Sequence, residues 1–186
     1  MILITRPKLE AKELSLKLLD IKINVHCDSL ISFTYDNTWV KKQNLLDVKT
    51  VCLLTSVQAA LSIEKIYSLD QYFENVKIIC IGERVSNYLK GKSVKNILHT
   101  FQDSNQLMSE LDFQNLKENN LIYFCGNNYN AHLVEQIKSK DIKCEPIVVY
   151  HPEVADELKP ETRAMIETNK INCVALYSQF SANIFM

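Results

Sequence analysis

Glycine is scarce in this chain: among 186 residues it occurs at 82, 91 and 126 only. Neither Gly-x-Gly-x-x-Gly nor a P-loop is present, so no nucleotide fingerprint can be read. Arginine is almost as rare, with Arg6, Arg84 and Arg163 against 18 lysines, and the formal net charge is −1. No basic stretch alternates with aromatics, which argues against a nucleic-acid partner. No apolar run approaches the roughly 18 residues of a membrane span. The opening Met-Ile-Leu-Ile-Thr-Arg-Pro lacks the basic start and small-residue cleavage site of a signal peptide and reads as a strand. The six cysteines include no Cys-x-x-Cys pair and none has a histidine at metal-ligand spacing. They read as small buried hydrophobes kept reduced, which points to the cytoplasm and to no metal.

Hydrophobic residues make up 47% of the chain, enough for a substantial core. The most informative stretch is Val76–Leu89. An apolar, largely β-branched run ends at Gly82, and Val85, Tyr88 and Leu89 then fall on one helical face. That is the form of a parallel strand turning into its crossover helix. Glycine lets the backbone approach whatever lies beyond the strand end, and the free N–H groups of the new helix favour an anion. Gly126 ends a second strand in the same way. In open α/β sheets, ligands bind outside such strand ends.

In chain order, residues 1–5 predict a strand and Pro7 opens a leucine-rich helix carrying Leu9, Leu14, Leu16, Leu18 and Leu19. Strand two falls at Ile21–Val25 or at Leu30–Phe33. Tyr35–Thr38 is polar and turn-forming and predicts a first connection between lobes. A rhythm follows. A short helix spans Val40–Leu46. Strands at Thr50–Leu54, Val76–Ile81, Val94–Leu98 and Leu121–Phe124 are each followed by a helix. The last strand, Ile142–Tyr150, is interrupted at Pro146. His151–Glu153 predicts the return connection. A helix after Pro160, a strand at Asn172–Tyr177 and a helix from Ser181 complete the pattern. The fold class is α/β: two lobes with parallel sheets flanked by helices. The first lobe comprises 1–34 plus 150–186 and is incomplete at the C-terminus; the second comprises 38–147.

Polar groups collect at strand ends: Thr5-Arg6, Thr55-Ser56, Gly82 to Ser86, Gly126 to Asn128, and Tyr177-Ser178. Hydroxyls and free helix N–H groups there suit carboxylates or phosphates, and they also serve as ordinary helix caps. Arg6 can fork onto a carboxylate or make an internal salt bridge. Tyr150 can donate a proton into a cleft or pack as a hinge residue. His26, His99, His132 and His151 read as surface or packing residues.

Taken together, these pieces resemble uroporphyrinogen-III synthase. Ile2 to Pro7 looks like that family's opening strand, and Thr55-Ser56-Val57-Gln58-Ala59 like its Thr-Ser-x-x-Ala turn. Gly82 to Ser86 with Leu89 is similar to its Gly-x-x-Thr-Ala turn, and Gly126 with Leu133 to its second glycine turn. Val149-Tyr150 matches the Val-Tyr before the return crossing. Tyr177-Ser178 with Ala182 and Phe185 resembles a second Thr-Ser turn. The family's turn threonine falls at Val85, beside Ser86, and the arginine after its second glycine falls at Asn130.

The resemblance implies a cofactor-free lyase of haem biosynthesis. It would cyclise hydroxymethylbilane to uroporphyrinogen III, losing water and inverting the last pyrrole ring through a spiro intermediate. The carboxylates of the substrate would be met at Arg6, Thr55, Ser56, Val57, Gly82, Ser86, Gly126 and Ser178, with Tyr150 as the catalytic acid. The expected partner is this small molecule alone, bound by a monomer, with no nucleic acid and no membrane. The alternative is a non-catalytic bilobed module that holds an anionic ligand.

Overall fold

The computed structural model describes residues 1–41, 46, 47, 49–177 and 179–185. Contacts divide the chain into two compact units, Met1–Thr34 with Pro152–Met186, and Tyr35–His151.

The first unit is built from both chain ends. Strand β1 (Ile2–Ile4) lies between β2 (Val25–Cys27) and the late strand β9 (Cys173–Ala175), and both pairings are parallel. Leu3 and Ile4 are fully buried. Helix α1 (Lys8–Asp20) starts after Pro7, whose missing N–H costs nothing there. Its one buried residue is Ala11, while Leu9, Leu16 and Leu19 are about half exposed. The buried Asp28 carboxylate accepts the Lys159 amide at 2.9 Å and tethers the entry to α7 (Pro160–Glu167). His26 is hydrogen-bonded to Thr162 Oγ1 at 2.9 Å. Helix α8 is Gln179–Phe185.

The second unit carries the larger sheet. Its parallel strands are β4 (Thr50–Leu54), β5 (Lys77–Ile81), β6 (Ile97–Phe101), β7 (Asn120–Gly126) and β8 (Lys143–Val154), in the order β8-β7-β4-β5-β6. Strand β3 (Ile31–Tyr35) borders β8. All five residues of β4 are buried. Cys52 and Leu54 join one apolar cluster with Phe124, Ala59 and Leu89, and Val51 and Leu53 join another with Tyr123, Leu107 and Leu133. Both sheet faces are thus covered, which is why this strand reads as a continuous apolar run. The helices are α2 (Val57–Glu64), α3 (Leu69–Tyr72), α4 (Glu83–Gly91), α5 (Ser104–Glu110) and α6 (Ala131–Lys138). The chain moves outward from β4 through β5 to β6, then returns to the opposite side of β4 as β7. The order of strands therefore reverses between β4 and β7, where an open sheet forms its ligand crevice.

Several elements differ from the sequence reading. Strand two resolves into two strands, β2 and β3. Ile21 is the C-cap of α1, and Lys22 (φ 61°) ends that helix before any strand begins. The strand expected at Val94–Leu98 starts at Ile97. Val94 instead donates its amide to the Leu89 carbonyl, and Ser93 (φ 64°) donates to Lys90, a two-bond closure that gives Val94 to the end of α4. Pro146 does not interrupt β8. The Ala155 amide bonds Leu30 and the Asp36 amide bonds Val149, so β3 flanks only the last part of β8, and proline is tolerated along the remaining edge. Helix α3 carries no sequence signal of its own. The helix expected over Val40–Leu46 falls largely outside the described residues; a 3₁₀ turn occupies Thr38–Lys41. Cys27 and Cys173 are exposed, unlike the four buried thiols, because both lie on outer strands of the small sheet.

Candidate active site

Strand register assembles the site in the second unit. Leu54 pairs with Phe124 on one side and Cys80 on the other, so two residues further on Ser56, Gly126 and Gly82 stand in one row. Gly126 in turn pairs with Tyr150. Three strand ends thus bring Gly82, Ser56 and Gly126 to the end of the sheet where the order reverses, beside Tyr150, which lies within β8; the strand runs on through His151–Glu153, where the sequence predicted its end and the return connection.

Tyr150 is the centre of this row. A Cβ on Gly126 would meet Tyr150 Cε2 and Cζ at 2.7 Å and Oη at 3.1 Å, so the phenol ring occupies space that glycine leaves open. Burial pushes the phenol above its ordinary value, and the neighbouring Ser56 side chain and Gly126 backbone oppose that rise. The backbone is held as well. The Tyr150 carbonyl accepts the Asn127 amide at 3.2 Å, and the preceding Val149 carbonyl accepts Ser62 Oγ at 2.6 Å and the Asp36 amide at 2.9 Å.

Ser56 also starts α2, its Oγ accepting the Gln58 amide at 3.0 Å. Val57 is the first residue of that helix. Thr55 Oγ1 is hydrogen-bonded to the Tyr123 phenol at 3.0 Å. Burial pushes Tyr123 up to about 12 against the effect of that bond. Gly82 adopts φ 91°, a left-handed conformation suited to glycine, and precedes α4 without a side-chain cap. Ser86 is 2% exposed and donates its hydroxyl to the Glu83 carbonyl of its own helix at 3.1 Å. A cavity of about 340 Å³ nearby is lined by Glu83, Ser86, Lys90, Thr100 and Gln102 among others.

Arg6 belongs to the first unit. Its guanidinium lies 4.5 Å from the Tyr177 ring centroid, and its Nε is 3.7 Å from Glu10. Ser178 lies outside the described residues. Thr5 Oγ1 is buried and has no hydrogen-bond partner among the described residues. None of those residues forms a group of three or more His, Cys, Asp or Glu placed to hold a metal ion. No described helix is long and apolar enough to cross a membrane. Ser62 and Tyr123 escaped the sequence reading, since their roles depend on strand register. The glycine signal did mark position 126, but as a turn; its use is to seat an aromatic ring.

A family model described as uroporphyrinogen-III synthase HemD matches residues 12–186. The chain belongs to the uroporphyrinogen-III synthase family. Uroporphyrinogen-III synthetase from Helicobacter pylori superposes with a TM-score of 0.61 at 16% identity, over 98% of this chain and 75% of that one. A mutant uroporphyrinogen III synthase from the extremely thermophilic bacterium Thermus thermophilus gives 0.60 at 7% identity, over 98% and 74%. At such identities the likeness to these synthases is one of fold. No curated protein matches the chain. The α/β architecture, with parallel sheets flanked by helices, is the one these synthases share.

Proposed function

We propose that this chain is a lyase of haem biosynthesis that cyclises hydroxymethylbilane to uroporphyrinogen III with inversion of the last pyrrole ring. Family membership supports the reaction class. The observation that carries the chemistry is a phenol whose ring is seated over Gly126, beside the point where the strand order reverses.

In this reading Tyr150 is the general acid. The C–O bond of the hydroxymethyl group breaks, its electron pair goes to oxygen, and the Tyr150 proton completes the departing water. The electron-rich pyrrole supplies the push, so a weak acid suffices. Burial raises the phenol further and keeps it protonated at neutral pH. The proton lost when the pyrrole regains aromaticity after ring closure restores the phenol. Substrate carboxylates are received by N–H groups and hydroxyls at Thr55, Ser56, Val57, Gly82 and Gly126, and by Arg6 and Ser178. Ser86 contributes through its helix end, because its hydroxyl is turned inward. The six unpaired thiols support a reducing compartment, the cytoplasm. The protein is taken to act as a monomer on a small molecule.

The test is Tyr150→Phe, assayed with fresh hydroxymethylbilane and separation of the uroporphyrin isomers. Turnover to isomer III should fall by about 10²–10⁴-fold with folding stability little changed. A Phe variant that turns over normally would remove Tyr150 from the chemistry.

A further inference from the structure

A hydroxyl has one hydrogen and two lone pairs, and its partners decide which of them is offered outward. Thr55 follows the last residue of β4, and its Oγ1 lies 3.0 Å from the Tyr123 phenol oxygen. Strand register explains the contact. Tyr123 pairs with Leu53, and side chains two residues apart on a strand share a face, so the phenol reaches forward from beside Leu53 to Thr55. The ring is held by its surroundings. It packs in the cluster of Val51, Leu53, Cys125 and Leu133, and Tyr129 meets it edge-on at 6.0 Å.

Burial decides which of the two donates. Tyr123 is 3% exposed, and Thr55 is its one hydrogen-bond partner among the described residues. Were the phenol to accept, its own hydrogen would be buried without an acceptor, which costs more than the bond gains. Thr55 is half-buried at the strand end and can turn its hydrogen elsewhere. Burial also pushes Tyr123 up to about 12, so at neutral pH the phenol keeps a hydrogen to give.

We infer that Tyr123 donates its buried O–H to Thr55 and so fixes Thr55 as a donor to an anionic group of the ligand beyond the strand end. Tyr123 is a positioning residue that acts through Thr55. With one lone pair of Thr55 taken, its hydrogen cannot point back at Tyr123, and no other described residue accepts it. Receiving a hydrogen also makes the Thr55 hydroxyl a stronger donor, as in any hydrogen-bonded chain. The arrangement therefore favours a carboxylate at this position over an N–H group. That the anion is a tetrapyrrole carboxylate rests on the proposed function; the internal contact and its direction do not.

Two measurements test it. In the first, the full chain carries tyrosine labelled with ¹³C at Cζ, in equal parts light and heavy water. A phenol whose hydrogen exchanges slowly gives two Cζ signals, and Tyr123→Phe identifies those of Tyr123. The parent and Thr55→Ser should show the pair, and Thr55→Val should merge or shift it. A single averaged Tyr123 signal in the parent, or a pair that Thr55→Val leaves unmoved, overturns the contact. In the second, binding of uroporphyrinogen III is followed by anaerobic calorimetry. Tyr123→Phe should weaken binding about 3–10-fold, the net worth of one hydrogen bond. Thr55→Val should weaken it about 10-fold or more, the loss of a hydrogen bond to a charged group. Thr55→Ser should bind like the parent. In the Val background, Tyr123→Phe should cost nothing further; an equal loss there would mean that Tyr123 does not act through Thr55. Unchanged affinity in Tyr123→Phe overturns the positioning if Thr55→Val is weakened, and removes Thr55 from the ligand if it is not. A parent that binds no uroporphyrinogen III refutes the tetrapyrrole reading and with it the ligand assigned to Thr55, while the Cζ signals still decide whether Tyr123 donates.

Discussion

The Tyr150 ring stands where a side chain on Gly126 would have to be, with Cε2 and Cζ both 2.7 Å from the glycine's would-be Cβ. The Tyr150 carbonyl is held by Asn127 and the preceding Val149 carbonyl by Ser62 and Asp36, so relief has to come from turning the side chain. Gly126→Ala therefore has to displace the ring itself. It should cost about 1–3 kcal/mol of stability, the range for overpacking a tight site. Denaturant titration of Gly126→Ala, Tyr150→Ala and the double variant checks the coupling. Once the ring is gone, the alanine should cost little; simple additivity would refute the contact.

Arg6 should contribute to ligand affinity as a planar fork. Its guanidinium is stacked on Tyr177 and lies beside Glu10, so a carboxylate of the ligand has to compete with an existing neighbour. Arg6→Ala should weaken uroporphyrinogen III binding by about 1.5–3 kcal/mol, and Arg6→Lys should recover only part of it. Anaerobic calorimetry with the three proteins decides it. Equal affinity in all three would remove Arg6 from the site.

Alkaline pH should destabilise the fold earlier than tyrosine ionisation alone would. Burial pushes Cys80 and Cys125 up to about 12, Cys144 up to about 11, and Cys52 higher still. Their folded values exceed the unfolded one of about 8.5. The contribution is fully present below that pH and is lost as pH rises toward the folded values. Each thiol adds up to about 1.4 kcal/mol per pH unit to the decline. Urea midpoints measured from pH 8 to 10 should fall, and Cys144→Ala should flatten the slope. An unchanged slope would contradict the burial of that thiol.

Helix ends offer a gain. Lys22, Ser93 and Asn169 hold left-handed conformations at the ends of α1, α4 and α7, where glycine is the usual occupant. Ser93→Gly removes the Cβ strain of that conformation but raises the entropy of the unfolded chain. The balance should favour the variant by about 0.5–1 kcal/mol. A shift of the urea midpoint upward is the expected reading, and a shift downward would mean that the Ser93 side chain is needed.

Much of the architecture was legible because both sheet faces are covered. Thr50–Leu54 and Leu121–Phe124 are near-continuous apolar runs, and each is followed by a polar turn and a periodic helix. Boundaries were less legible where capping, not periodicity, decides them. Val94 is apolar and β-branched like a strand residue, yet it closes α4. Thr55, Ser56, Gly82 and Gly126 were visible as strand-end residues. That Ser56 and Gly126 share a row and that Tyr150 packs on Gly126 was not visible, since both follow from the register of β4, β7 and β8, and local sequence carries no register between distant strands. Ser86 misled for a related reason: a hydroxyl at a helix start looks available, and this one bonds its own turn.

The central strand of the small sheet takes its two neighbours from opposite ends of the polypeptide. During synthesis β1 and β2 emerge together, but β9 follows β1 by roughly 170 residues. At about 5–20 residues per second that is a wait of roughly 10–30 s. Tyr35–His151, contiguous and with its own core, is made entirely within that interval. On the ribosome the inserted unit can therefore finish folding while the apolar Leu3 and Ile4 still lack one partner strand. Birth order leaves the first strand of this protein waiting longest for its second neighbour.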